Sequence, residues 1–168
     1  MLKLTIEQVK QIPISSLMRM IDKAKSYIKN DDVMKGVCKE YNINVDIVDY
    51  IPTKFGELDV SARTDHGVVT LSYKLLCDGD FFKDYSYLIH EYTHVLQQCF
   101  GEKPTKSADA GYLDNPHEQE AFQNQIEYIA DELGNHEADK YVDRLLDHHD
   151  INDQEERKEK EEVLLSKV

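Results

Sequence analysis

The chain has 168 residues and a formal net charge of −13, from 20 Lys and Arg against 33 Asp and Glu. With 7 Gly, 4 Pro and 40% apolar residues, it is not a collagen-like or low-complexity chain, and it is long enough to bury the core of one domain. The negative charge argues against holding nucleic acid or an anionic membrane through phosphate neutralisation, so we expect neither as a partner.

The amino-terminal part predicts helices. Thr5 is followed three residues later by Gln8, which is the spacing of a capping box at the start of a first helix. Between Ile14 and Ile21, apolar residues recur at steps of three and four, as on the buried face of a second helix. Pro13 suits the break between the two helices or the first turn of the second.

Three short segments then predict strands, and the last of them is rich in β-branched and aromatic residues. They are Val45–Ile51, Leu58–Ala62 and Val68–Leu76. The sequence Asp65-His66-Gly67 between the last two is a turn signal, so we expect a hairpin there. We expect a small sheet with Val68–Leu76 as its edge strand.

The rest of the chain predicts helices again, at about Asp84–Phe100, about Pro116–Leu133 and Glu137–His149. Together these elements indicate an α+β fold. We expect a single domain over residues 1–147 and a charged tail over residues 148–168 that is either helical or frayed.

Cysteine usage and hydropathy bear on the compartment. Cys38, Cys77 and Cys99 are widely spaced and form no C-x-x-C pair, so a disulfide framework is not expected. The chain has neither a recognisable secretory signal nor about 18 consecutive apolar residues. We therefore expect a cytoplasmic protein.

The chemistry of the chain is concentrated in an H-E-x-x-H motif within the helix predicted over about Asp84–Phe100. His90 and His94 are four residues apart, so both imidazoles lie on one helix face, where two nitrogens can reach one metal ion. Glu91 lies about 100° further round the helix, where it could take a proton from a water at that ion.

A second motif downstream, NPHEQEAF, could complete the site. Asn115 is a good helix cap and Pro116 suits the first helical position, so a new helix begins here. His117, Glu118 and Glu120 lie near its start, and one of them could be a third ligand. Three protein ligands and an open position for water are what a catalytic zinc site needs.

HEYTHVLQQ followed by NPHEQEAF resembles a small zinc metallopeptidase of the minimal zincin or gluzincin kind. The resemblance covers about Val68 to Glu132. It implies one catalytic Zn²⁺ held by His90 and His94, with Glu91 as the general base. The longer H-E-x-x-H-x-x-G-x-x-H pattern is absent, which excludes the metzincin type.

The resemblance also bears on the third ligand. Glu118 matches the third ligand in the Pro-x-Glu-x-x-Ala form found in several phage and bacterial metallopeptidases, and we prefer it. The other explanation of Glu118 is a capping box with Asn115, three residues earlier. Glu120 matches the thermolysin-like form, in which the glutamate immediately precedes the alanine, and Asn124 would then support a ligand histidine. His117 is a third alternative.

The resemblance implies a zinc-dependent metallopeptidase that hydrolyses peptide bonds in a protein or peptide substrate, with Glu91 activating a zinc-bound water. The alternative is a regulatory or toxin/antitoxin-type protein with a zincin-like fold and narrow or no proteolytic activity. Tyr112, Tyr128 and His136 lie in the right part of the chain to polarise the scissile carbonyl, although each also has an ordinary structural explanation.

Overall fold

The computed structural model describes residues 3–101 and 111–168. Two compact units divide the chain, residues 1–102 and residues 103–168. Helices predominate in both, and the first also holds a small mixed sheet, so the expected α+β class is confirmed. None of the helices in the described ranges combines the length and the apolar character needed to cross a membrane.

The first unit opens with three helices: α1 (Ile6–Lys10), α2 (Ile14–Lys29) and α3 (Asp32–Glu40). The predicted capping box at α1 is confirmed: the amide of Gln8 donates to the Thr5 hydroxyl at 3.2 Å, and the amide of Thr5 donates to the Gln8 side chain at 2.9 Å. Pro13 immediately precedes α2, so its ring occupies a position where no helical N–H is needed.

The strand predicted over Val45–Ile51 is wrong, because Val45–Tyr50 forms a 3₁₀ helix. The amide of Asp46 donates to Oδ1 of Asn44 at 2.9 Å, which turns the chain at the start of the segment. Val48 and Ile51 are buried with 0% and 2% exposure. Their three-residue spacing suits a helix with three residues per turn, which presents both side chains to the same side.

The sheet contains β1 (Thr53–Gly56), β2 (Ala62–Asp65) and β3 (Val68–Ser72), in the spatial order β1-β3-β2. β1 is parallel to β3, and β2 is antiparallel to it. The expected edge strand is therefore in the centre of the sheet. It also ends at Ser72, before a short helix, α4 (Lys74–Cys77), so the prediction of a strand to Leu76 is wrong in its last part.

The predicted hairpin between β2 and β3 is confirmed, but the strand before its turn was placed too early, at Leu58–Ala62. His66 and Gly67 have φ of 48° and 77°, the positive values that a two-residue type I′ turn requires. This turn pairs Asp65 with Val68, so the strand runs back from Asp65 and its pairing ends at Ala62.

The last helix of the first unit is α5 (Ser86–Phe100), two residues shorter at its start than predicted. The carboxylate of Asp84 accepts the amide of Ser86 at 2.7 Å and its hydroxyl at 3.0 Å. This local hydrogen bonding, from residue 84 to residue 86, holds Asp84 in a turn that precedes the helix.

The second unit contains α6 (Pro116–Leu133), α7 (Asn135–His148) and α8 (Gln154–Leu164). The bounds predicted for α6 are confirmed, and α7 begins two residues before the predicted Glu137. α6 packs against both α7 and α8. Phe122, Val142 and Leu164 belong to the apolar core of this unit, which places part of the charged tail in a packed helix.

Candidate metal centre

Helix α5 is held on the sheet by its buried face and by a hydrogen bond. Leu88, Ile89 and Leu96 are at most 1% exposed, and β2 and β3 both contact the helix. The hydroxyl of Tyr92 lies 2.9 Å from Oγ1 of Thr53, at the start of β1. Burial raises the pKa of Tyr92, which keeps this phenol neutral. Tyr92, one of the two middle residues of the H-E-x-x-H motif, thus belongs to the packing of the helix.

His90 and His94 converge as the four-residue spacing predicts. Their Nε2 atoms are 3.1 Å apart, and His90 is 7% exposed. Two nitrogens that ligate one tetrahedral Zn²⁺ at the usual bond length lie about 3.3 Å apart. The separation of this pair therefore fits the donor geometry of a zinc site, although imidazole nitrogens also suit copper, nickel and iron.

Gln97 supports the second histidine of the motif. Its Oε1 lies 2.7 Å from Nδ1 of His94, and the glutamine is 4% exposed. Since Oε1 can only accept, it favours a hydrogen on Nδ1 and leaves the lone pair of Nε2 available to a metal. The sequence analysis did not assign this role to Gln97, although its position one helical turn after His94 is a signal for it.

Glu91 is 8% exposed and has a partner that the sequence did not indicate. Oγ1 of Thr64, in β2, lies 2.5 Å from Oε2 of Glu91 and 3.1 Å from its backbone oxygen. Thr64 is 27 residues earlier in the chain, so no local spacing relates the two. The structure thus places the Thr64 hydroxyl, a hydrogen-bond donor, beside Glu91, the proposed general base.

The residues considered as a third ligand lie in the second unit, in the first turns of α6. His117, Glu118 and Glu120 are all half-buried. Asn115 caps the helix as predicted, because its Oδ1 accepts the amide of His117 at 2.9 Å, and Pro116 is the first helical residue. The cap and the proline define where α6 begins, and with it the place of these three residues on the helix.

Asn124 lies further along α6. It is 0% exposed, and its Oδ1 accepts a hydrogen bond from Nζ of Lys167 at 2.6 Å. The amide side chain is thus engaged by the carboxyl-terminal end of the same unit. Asn124 therefore has a structural hydrogen bond to Lys167. The sequence analysis considered Asn124 only as support for a ligand histidine.

The three residues considered for polarising a carbonyl have different surroundings. Tyr128 is 4% exposed in the interior of the second unit, whereas His136 is exposed at the start of α7. Tyr112 stacks on His149, with ring centroids 5.0 Å apart and an angle of 16° between the rings. Burial, followed by the neighbouring His148, lowers the pKa of His149. These contacts give Tyr112 and Tyr128 structural roles within their own unit.

Comparison with known proteins adds no family to these observations. No family model, curated protein or solved structure matches this chain. Inferences about function therefore rest on the residues of the chain and on their contacts.

Proposed function

We propose that this protein is a zinc-dependent metallopeptidase, which hydrolyses peptide bonds in a protein or peptide substrate with Glu91 as the general base. The observation that carries the proposal is the 3.1 Å approach of the His90 and His94 Nε2 atoms on a buried helix that also carries Glu91. Paired imidazoles next to a carboxylate are the donor set expected for metal-assisted hydrolysis.

In this proposal His90 and His94 hold the ion, and Glu118 supplies the third ligand, as the Pro-x-Glu-x-x-Ala motif implies. When bound, Zn²⁺ supplies Lewis acidity, which polarises the scissile carbonyl and makes water more acidic. Glu91 accepts the proton of the attacking water and passes it to the leaving amine as the C–N bond breaks. The hydrogen bond from His94 to Gln97 keeps the imidazole in the tautomer that can ligate.

The sheet offers this reaction a surface for an extended substrate. Among the described residues β2 pairs only with β3, so its other edge has backbone groups to pair with a peptide. β2 also lies against α5, the helix of the H-E-x-x-H motif. We therefore assign the binding of an extended substrate to the free edge of β2, and not to Val68–Leu76, whose strand is central.

Metal content and peptide hydrolysis, measured on the same preparations, test the proposal. We expect one zinc per chain in the wild type and its loss in His94→Ala. Glu91→Gln should keep the zinc and lower the hydrolysis of a peptide library by at least about 100-fold, because only the proton acceptor is removed. Glu57→Gln removes an exposed carboxylate of the same unit and is the matched control, with activity unchanged.

Two outcomes would contradict the proposal. One is a wild-type protein that takes up no zinc when it is purified without chelator and supplied with the metal. The other is a Glu91→Gln variant that hydrolyses peptides as fast as the wild type, since the base would then have no part in the reaction.

A further inference from the structure

The hydrogen bond between Thr64 and Glu91 has a defined direction. The hydroxyl of Thr64 donates, and the side-chain carboxyl oxygen of Glu91 accepts. The contact to Oε2 of Glu91, at 2.5 Å, is shorter than the contact to the backbone oxygen of the same residue, at 3.1 Å. Bonds from a hydroxyl to a carboxylate of this length are among the stronger ones in proteins.

Thr64 is held in place by the hairpin around it. It pairs with Val69, which is 0% exposed in the centre of the sheet. Three residues later, the amide of Gly67 donates to Oε1 of Gln98 at 2.9 Å. Glu91 and Gln98 are two helical turns apart on α5, so the hairpin contacts the helix at two separate points. The backbone of Thr64 cannot move away from Glu91 without moving the hairpin.

We propose that Thr64 is the positioning residue of the general base. Without a partner, the two oxygens of a glutamate carboxylate are equivalent, and the last side-chain torsion is broad. The hydroxyl occupies Oε2 and makes the oxygens unequal, so Oε1 is the one that accepts the proton from water. Thr64 acts through Glu91 and does not touch the substrate. This inference rests on the proposed function, because it needs Glu91 to be the base.

Two substitutions separate the hydroxyl from the shape of the side chain. Thr64→Val removes the donor at nearly constant volume, and Thr64→Ser keeps the donor. Thr70→Val is the matched control, because Thr70 pairs with Arg63, on the opposite face of the sheet from Thr64 and Val69. All variants are first compared with the wild type for zinc content and thermal unfolding.

We expect Thr64→Val to lower kcat by roughly 10- to 100-fold with KM and zinc content unchanged, because a misplaced base slows the chemical step without weakening binding. Thr64→Ser should restore most of kcat, and Thr70→Val should leave it unchanged. The inference is overturned if Thr64→Val has the kcat of Thr70→Val, or if Thr64→Ser is as slow as Thr64→Val. If Thr64→Val does not fold, Thr64→Ala replaces it, with the same expectations.

Crystal structures of the wild type and Thr64→Val give a readout that does not depend on activity. We expect the Glu91 carboxylate to take more than one orientation in Thr64→Val and a single one in the wild type. If the wild type hydrolyses no peptide, the proposed function fails, and these structures alone decide whether Thr64 orients Glu91. One unchanged Glu91 orientation in both proteins overturns the positioning role.

Discussion

Gln97 lies one turn after His94 on α5, and its Oε1 is 2.7 Å from Nδ1 of that histidine. The glutamine is buried, and the histidine is half-buried. The two residues come from adjacent turns of one helix, whereas the contact between Thr64 and Glu91 joins a strand to that helix. In the proposed metal centre, His94 is thus held by a residue of its own helix, and Glu91 is held by a residue of the sheet.

Replacing Gln97 by leucine is expected to weaken zinc binding by about 10- to 100-fold, because the acceptor that selects the ligating tautomer of His94 is lost. Gln97→Glu keeps an acceptor at the same place and should bind zinc at least as tightly as the wild type. Competition against a chromogenic chelator measures both affinities. Equal zinc affinity in Gln97→Leu and the wild type would show that His94 needs no such support.

Substitutions of Glu118 and Glu120 on α6 show which of these glutamates is the third zinc ligand. We expect Glu118→Gln to lower zinc affinity markedly, since an anionic ligand becomes a neutral one, and Glu120→Gln to leave it close to that of the wild type. The chelator competition used for Gln97 applies here too. If Glu120→Gln loses zinc and Glu118→Gln retains it, the thermolysin-like register is correct instead.

Glycine-to-alanine changes at two positions should have opposite effects on stability. Gly67 has φ of +77°, and an added Cβ would lie 3.4 Å from Sγ of Cys99, so Gly67→Ala should destabilise the fold by about 1 to 2 kcal/mol. Gly36 is an exposed residue inside α3 with nothing within 4 Å of an added Cβ, so Gly36→Ala should stabilise by about 0.5 to 1 kcal/mol. Urea denaturation of both variants measures the two changes. If both substitutions changed the free energy of unfolding in the same direction, the assigned backbone conformations would be contradicted.

Cys38 makes stability sensitive to alkaline pH. The residue is 1% exposed, and burial raises the pKa of its thiol from 9.0 to about 11. The native state therefore holds this proton more tightly than the unfolded chain, so the stabilisation is complete below pH 9.0 and is lost as the pH rises through about 11. By pH 11 the loss should reach roughly 2 kcal/mol.

Cys38→Ala is the comparison that isolates this thiol from other titrating groups. Urea denaturation under reducing conditions at several pH values should show the stability advantage of the wild type over Cys38→Ala shrinking above pH 9.0. Parallel curves for the two proteins across that range would mean that the Cys38 thiol does not contribute to the pH dependence.

Predictions from the sequence were most accurate where a few neighbouring residues decide the structure. The mutual hydrogen bonds of Thr5 and Gln8 and the cap formed by Asn115 involve groups at most three residues apart. The turn at His66-Gly67 likewise depends on two adjacent backbone conformations. In each case the interaction is local, and the residues around it specify it.

Two of the errors arose where packing between distant segments decides. Val45–Tyr50 has the β-branched residues of a strand, but it buries Val48 within a 3₁₀ helix. β3 is central because β1 pairs with it in parallel, between residues about 16 apart in the chain, and composition carries no signal of that pairing.

The sequence by itself determined that His90 and His94 would present their imidazoles on one face, because the four-residue step is nearly one turn of an α-helix. It also placed Glu118 in the first turn of a capped helix. Only the tertiary structure decided which group meets Glu91. Thr64 reaches it because the I′ turn sets the register of β2 on β3, and because the sheet packs on α5. These contacts form between segments far apart in the chain, and their geometry depends on how the whole first unit packs.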